Sequence, residues 1–145
     1  MVAAAPAMAQ TGSTCVKLTP AELDAQFGAF NAAWASKSPD AVTALFEDDA
    51  VLLATVASVP RTDSAGVRNY FVKFQKNNPV GRIDSSTIKS GCNWALRAGT
   101  STVTLTDAIT GAKTDARARY SFLYEFEDGQ WKIEHLHSSV MPEKT

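Results

Sequence analysis

His135 and His137 are the only histidines in this chain of 145 residues, and they stand two apart in a stretch of apolar and polar side chains. Neutral imidazole offers one donor and one acceptor, so such a pair can hold a metal, relay a proton or bind an anion. A metal site ordinarily takes a third protein ligand, and none stands at a familiar spacing here, so neither metal nor cofactor is expected. Acid–base work is the remaining chemistry: His135 or His137 would remove a proton while Tyr120 or Tyr70 polarises a carbonyl. Arg119 is a further candidate, because a guanidinium recognises a carboxylate through two parallel hydrogen bonds. The plainer reading of Arg117 and Arg119 is a cross-strand ion pair with Glu134 on a dimer surface. No G-x-S-x-G elbow, phosphate loop or dinucleotide fingerprint occurs.

These residues need a sheet to position them. Asp128-Gly129 is the strongest hairpin signal in the chain. A two-residue turn there sets Phe126 opposite Trp131 and Tyr124 opposite Ile133. Continued without interruption, that register sets Phe122 opposite His135 and Tyr120 opposite His137, with both histidines on the aromatic, inward face. Arg117, Arg119, Glu134, Leu136 and Ser138 then take the other side. Turn signals at Ser90-Gly91, Ala98-Gly99 and Thr110-Gly111 divide the rest of the chain after Arg82 into an antiparallel meander.

Helices come first. Thr19-Pro20-Ala21-Glu22 is a capping box with proline at the first helical position. Leu23, Phe27, Phe30 and Trp34 then recur at helical spacing. A short second helix after Ser38-Pro39-Asp40 and an acidic turn at Glu47-Asp48-Asp49 precede a strand from Ala50 to Val59. A third helix over about Ser64 to Lys76 turns Val67, Tyr70, Phe71 and Phe74 inward and Arg68, Lys73 and Gln75 to solvent. Helices followed by strands predict an α+β domain over residues 19–145.

Fourteen basic and fifteen acidic residues leave a net charge of -1, which gives no field to collect nucleic acid or anionic lipid. No membrane-length apolar run interrupts the chain, so neither nucleic acid nor membrane is expected as a partner. The opening MVAAAPAMAQ reads as the tail of a secretory signal with an Ala7-Met8-Ala9 cleavage pattern, and residues 1–18 as that remnant plus an arm. A periplasmic or secreted location follows. In such a compartment Cys15 and Cys92 are either a disulfide or two unrelated thiols, which spacing does not decide.

The closing stretch DGQWKIEHLHSSVMPE, with SPDAVTALFEDDAVLL, VPR, NYFVKF, PVGRI, GCN and ARYSFLY in order before it, resembles bacterial nuclear transport factor 2-like (SnoaL-like) proteins related to the association domain of calcium/calmodulin-dependent protein kinase II. The resemblance runs from about Glu22 to the end. It implies a cone, in which three N-terminal helices pack on a strongly curved, mostly antiparallel sheet around a cavity, and commonly a homodimer. Relatives of this fold include isomerases, dehydratases and proteins with no known reaction, so the fold does not assign an activity. Where the family often carries three consecutive histidines, this chain has His135-Leu136-His137. The isomerases need a carboxylate base, for which Asp84 and Glu134 are the candidates. The expectation is an exported homodimeric pocket protein binding a small organic molecule. Its pocket would be lined by Trp34, Tyr70, Phe74, Asn93, Arg119, Tyr120, Phe122, His135 and His137. An acid–base isomerase or dehydratase, and a ligand-free oligomerisation module, are the alternatives.

Overall fold

The computed structural model describes residues 14–142, so the proposed signal remnant at residues 1–10 lies outside the described residues. The order of elements is α1 (Pro20–Ala35), α2 (Pro39–Thr43), β1 (Phe46–Leu53), α3 (Ser64–Phe74), β2 (Val80–Gly91), β3 (Trp94–Thr106), β4 (Lys113–Glu127) and β5 (Gln130–Val140), with a 3-10 turn at Gln75–Asn77. Each helix begins on a side-chain cap. Thr19 accepts from the Glu22 amide, Ser38 from Ala41 and Asp63 from Gly66, which satisfies amides that a first turn leaves open.

The sheet runs β1-β5-β4-β3-β2, with β1 parallel to β5 and the other pairs antiparallel. One face packs against the helices. There Phe122 of β4 meets Phe30 of α1 edge to face at 5.5 Å, and Phe30 meets Phe71 of α3 at 6.2 Å, an arrangement aromatic quadrupoles favour. Asn31 latches α1 to β2 through paired 2.8 Å hydrogen bonds to the Gly81 amide and carbonyl. Glycine suits that approach, since a Cβ at position 81 would lie 3.0 Å from the Phe27 ring, which would have to shift by a few tenths of an ångström.

Several boundaries differ from the sequence reading. The first strand spans Phe46–Leu53, and Glu47-Asp48-Asp49 lies inside it rather than in a turn. Its pairing with β5 shifts between Phe46 and Val51, so the acidic residues sit where β1 leaves regular register. Ala98-Gly99 is the middle of β3, not a turn. Gln75, read as solvent-facing, is 3% exposed and donates to the carbonyls of Ala33 and Trp34, which closes the C-terminal end of α1. Cys15 and Cys92 are disulfide-bonded with Cα atoms 4.6 Å apart.

The consequential difference lies in the last hairpin. Asp128 and Gly129 both adopt left-handed φ, 52° and 78°, so the two-residue turn forms. Phe126 faces Trp131 and Tyr124 faces Ile133 as expected. The next pair, however, is Leu123 with His135, and Glu134 has no partner. This β-bulge shifts every later residue by one and so exchanges the two faces. Leu136 (6% exposed) turns inward opposite Phe122, and His137 turns outward opposite Ser121. Burying the leucine stabilises by roughly 2 kcal/mol, whereas imidazoles in its place would need polar partners among aromatic rings.

Candidate functional site

Between the helices and the inner face of the sheet lies a hollow of about 60 Å³. Phe27, Phe30 and Trp34 of α1 and Tyr70, Phe71 and Phe74 of α3 form one wall, and Tyr120, Phe122, Leu136 and Ser138 of β4 and β5 the other. The helical spacing that gave α1 and α3 their apolar stripes is what aims these rings inward. As it stands the hollow takes a compact group, since a single water needs about 10–15 Å³ by the same measure. Beside it an outer cleft of about 330 Å³, lined by Val56, Ala57, Ser58, Val59 and Arg61, shares Tyr70 and Phe74 as lining.

Few polar groups reach the hollow. Thr55 donates to Ser138 at 2.6 Å. The Tyr120 hydroxyl is committed: it donates to the Ser85 carbonyl at 2.9 Å and lies 2.9 Å from Ser86 Oγ, which accepts from Arg97 Nε. It is not free to polarise a substrate carbonyl. Burial pushes the Tyr70 phenol up to about 12, with the Val56 amide and Arg61 pulling it back, so it remains a neutral donor at ordinary pH. Trp34 Nε1 is buried without a partner. An unmet donor of that kind costs about 1–3 kcal/mol, which an acceptor on a ligand would recover.

Of the residues named from sequence, Trp34, Tyr70, Phe74, Tyr120 and Phe122 line the hollow, and Asn93, Arg119, His135 and His137 do not. The bulge accounts for the histidines. His135 Nδ1 lies 2.8 Å from the Val51 carbonyl, which requires the proton on Nδ1, and His137 shares a shallow outer-face groove with Arg119, Ser121 and Ser139. Asn93 instead holds the N-terminal arm: its side chain accepts from the Val16 amide at 2.9 Å, and its own amide donates to the Val16 carbonyl at 3.1 Å.

The carboxylate candidates also lie elsewhere. Asp84 is outside the hollow, where hydrogen bonds from Thr102 and then Arg82 hold its carboxyl below the ordinary range. The expected pairing of Arg117 and Arg119 with Glu134 does not form; Arg119 stands opposite Ser139, and Glu134 lies near Glu125, Asp49, Glu47 and Glu127. Burial first and those acids second push the Glu134 carboxyl up to about 7. The folded chain therefore holds an extra proton between its ordinary 4.5 and about 7. This contribution to stability is fully present below 4.5 and is lost as pH rises through 7. Glu134→Gln is accordingly expected to raise stability at pH 8 by roughly 1 kcal/mol, discounted for solvent screening, and to change little at pH 4. Paired thermal melts check it; an equal effect at both pH values would remove the assignment.

Arg61 was missed by the sequence reading. The signal available was a lone cation between Pro60, which ends the predicted strand, and the start of the third helix. It borders the outer cleft, and its Nε is buried without a partner. Among the described residues no group of three or more His, Cys, Asp or Glu could hold a metal, and no helix is long and apolar enough to cross a membrane.

Residues 20–142 match the family model of the calcium/calmodulin dependent protein kinase II association domain. A structure from Xanthomonas campestris, described as such an association domain, is 41% identical, with 88% of this chain and 94% of that chain covered and a TM-score of 0.82. A nuclear transport factor 2-like superfamily protein from Salmonella enterica shares 16% identity over 86% of this chain and 92% of its own, with a TM-score of 0.72. A scytalone dehydratase-type structure from Novosphingobium aromaticivorans shares 11% identity over 83% and 82%, also at 0.72, and like the Salmonella protein shares the fold alone. No curated protein matches the chain. With its helices on one face of a bent sheet and this match over most of its length, the chain belongs to the calcium/calmodulin dependent protein kinase II association domain family and has the nuclear transport factor 2-like fold.

Proposed function

We propose that this is an exported protein that binds a compact, largely apolar small molecule inside the cone and works as a homodimer. The observation that carries the ligand reading is the aromatic hollow itself, which shares Tyr70 and Phe74 with an open cleft and has among its lining Trp34, whose Nε1 is buried without a partner. An acid–base isomerase is disfavoured, because among the described residues no imidazole or carboxylate lines the hollow. Thermal melts against a panel of small aromatic and aliphatic compounds test the reading. Binders are expected to raise the melting temperature by several degrees at saturating concentration, and silence across the panel would count against it.

Assembly is favoured by charge on the outer face. Along β4 the outward residues run from Arg117 and Arg119 through Ser121 and Leu123 to Glu125 and Glu127. A two-fold axis crossing the strands would set the basic end of one copy against the acidic end of the other, with Leu96 and Leu123 at the centre. The match to an association-domain family agrees with such pairing. Sedimentation should return twice the 15.5 kDa chain mass. A monomer at micromolar concentration would contradict it. Export is supported by the disulfide, which persists in oxidising compartments.

A further inference from the structure

Four polar side chains border one groove of about 290 Å³ on the outer face of the sheet. Arg119 and Ser121 stand two apart on β4, and across the ladder Arg119 faces Ser139 and Ser121 faces His137 on β5. Among the described residues no hydrogen bond or ion pair engages any of the four side chains, whereas their neighbours are committed. Ser138 accepts from Thr55, the Tyr120 hydroxyl donates to the Ser85 carbonyl, and His135 Nδ1 is spent on the Val51 carbonyl.

The groove also stands apart in charge, because no carboxylate lines it. Arg117, the next outward residue of β4, lies near enough to Asp84 to help hold that carboxyl low, while Arg119 is flanked by Thr100 and Ser139. The acids Glu125, Glu127 and Glu134 gather at the other end of the face, beyond Leu123 and His135. A guanidinium supplies a fork of N–H donors, each hydroxyl one O–H and an imidazole an N–H. Opposed Cβ atoms on neighbouring strands are about 5 Å apart, and alternate residues on one strand about 7 Å. Donors thus approach one small space from four corners.

We infer that this groove binds a tetrahedral oxyanion, a phosphate or sulfate group either free or at the end of a monoester, held by Arg119, Ser121, His137 and Ser139. A planar carboxylate would offer its two oxygens to the guanidinium and leave the other donors unpaired, whereas a tetrahedral ion turns an oxygen to each. The site is independent of the interior hollow, which lies on the opposite face of the sheet. Arg119 also belongs to the basic end of the proposed dimer face, so the oxyanion and the acidic end of a second copy are alternative occupants of one guanidinium.

An NMR titration of the full chain at pH 7, reading the Arg119 Nε–H and the His137 ring, tests this with inorganic phosphate, sulfate, phenyl phosphate and acetate at one ionic strength. The tetrahedral ions are expected to give saturable shifts with a dissociation constant of about 1 mM, at least about tenfold tighter than acetate. Arg119→Gln should weaken phosphate by about tenfold and Ser139→Ala by about threefold. Arg119 is exposed and Ser139 half-buried on the outer face, so both variants keep the core intact. Tighter binding of phenyl phosphate than of phosphate would support the proposal with a monoester as occupant, and equal binding would support it with the free ion. The proposal is overturned if acetate binds as tightly as phosphate, if His137 shows no saturable shift, or if both variants keep the affinity of the unaltered chain. None of these results bears on the interior ligand, whose binding is read at other residues.

Discussion

Replacing Leu136 by alanine is expected to destabilise the fold by about 3 kcal/mol, while His137→Ala changes stability by less than about 0.5 kcal/mol. The contrast follows from one unpaired residue. With Glu134 bulged out of the β4–β5 ladder, Leu136 is 6% exposed and packs on the aromatic face, and His137 is exposed on the other. Without the bulge the two residues would trade places and the two effects would trade magnitudes. Denaturant melts of the two variants measure this. A large loss for His137→Ala beside a small one for Leu136→Ala would mean that the histidines face the hollow after all, and would reinstate them as candidates for acid–base work.

Removing the disulfide is the second large expected effect. Cys15 and Cys92 are 77 residues apart in sequence, so their bond constrains much of the unfolded chain. The double substitution Cys15→Ala with Cys92→Ala is expected to cost about 2–4 kcal/mol and to lower the melting temperature by roughly 10 °C. The arm it anchors is not held by the bond alone, because Asn93 clamps Val16 by two hydrogen bonds and Leu18 is 5% exposed in the core. The variant should therefore still fold. Thermal melts with and without reductant read the effect, and an unchanged midpoint would show that the Cys15–Cys92 bond adds nothing to stability.

The elements were legible where a local rule and a burial requirement agreed. Thr19-Pro20 and Asp128-Gly129 announced a helix start and a hairpin, and both form there because the caps and the left-handed turn residues leave little alternative. The inward stripes of α1 and α3 followed from helical spacing, and with them Trp34, Tyr70 and Phe74 in the hollow. The histidines went wrong because strict alternation was carried through β5. Ile133 and Leu136 are three apart, so a regular strand cannot bury both, and the structure resolves the conflict by giving up one ladder position at Glu134. That spacing was present in the sequence and was the signal to read. Arg61 had no comparable signal, because its importance comes from a bridge to Leu52 and from cleft walls contributed by α3.

The relation between fold and activity in this family keeps the weight on the site. The same architecture carries a dehydratase-type protein at 11% identity, so shared topology says little about chemistry. The hollow of this chain is walled mainly by aromatic and aliphatic side chains, and among the described residues no imidazole or carboxylate lines it.

A methyl-detected NMR titration with benzoate tests the central claim, that the functional surface is the interior of the cone. The expected result is saturable shift changes at Leu52, Val103 and Leu136, which line the hollow, with Leu96 and Leu123 on the outer face unmoved. Changes confined to Leu96, Leu123 and the rings of His135 and His137, with the interior methyls silent, would contradict it.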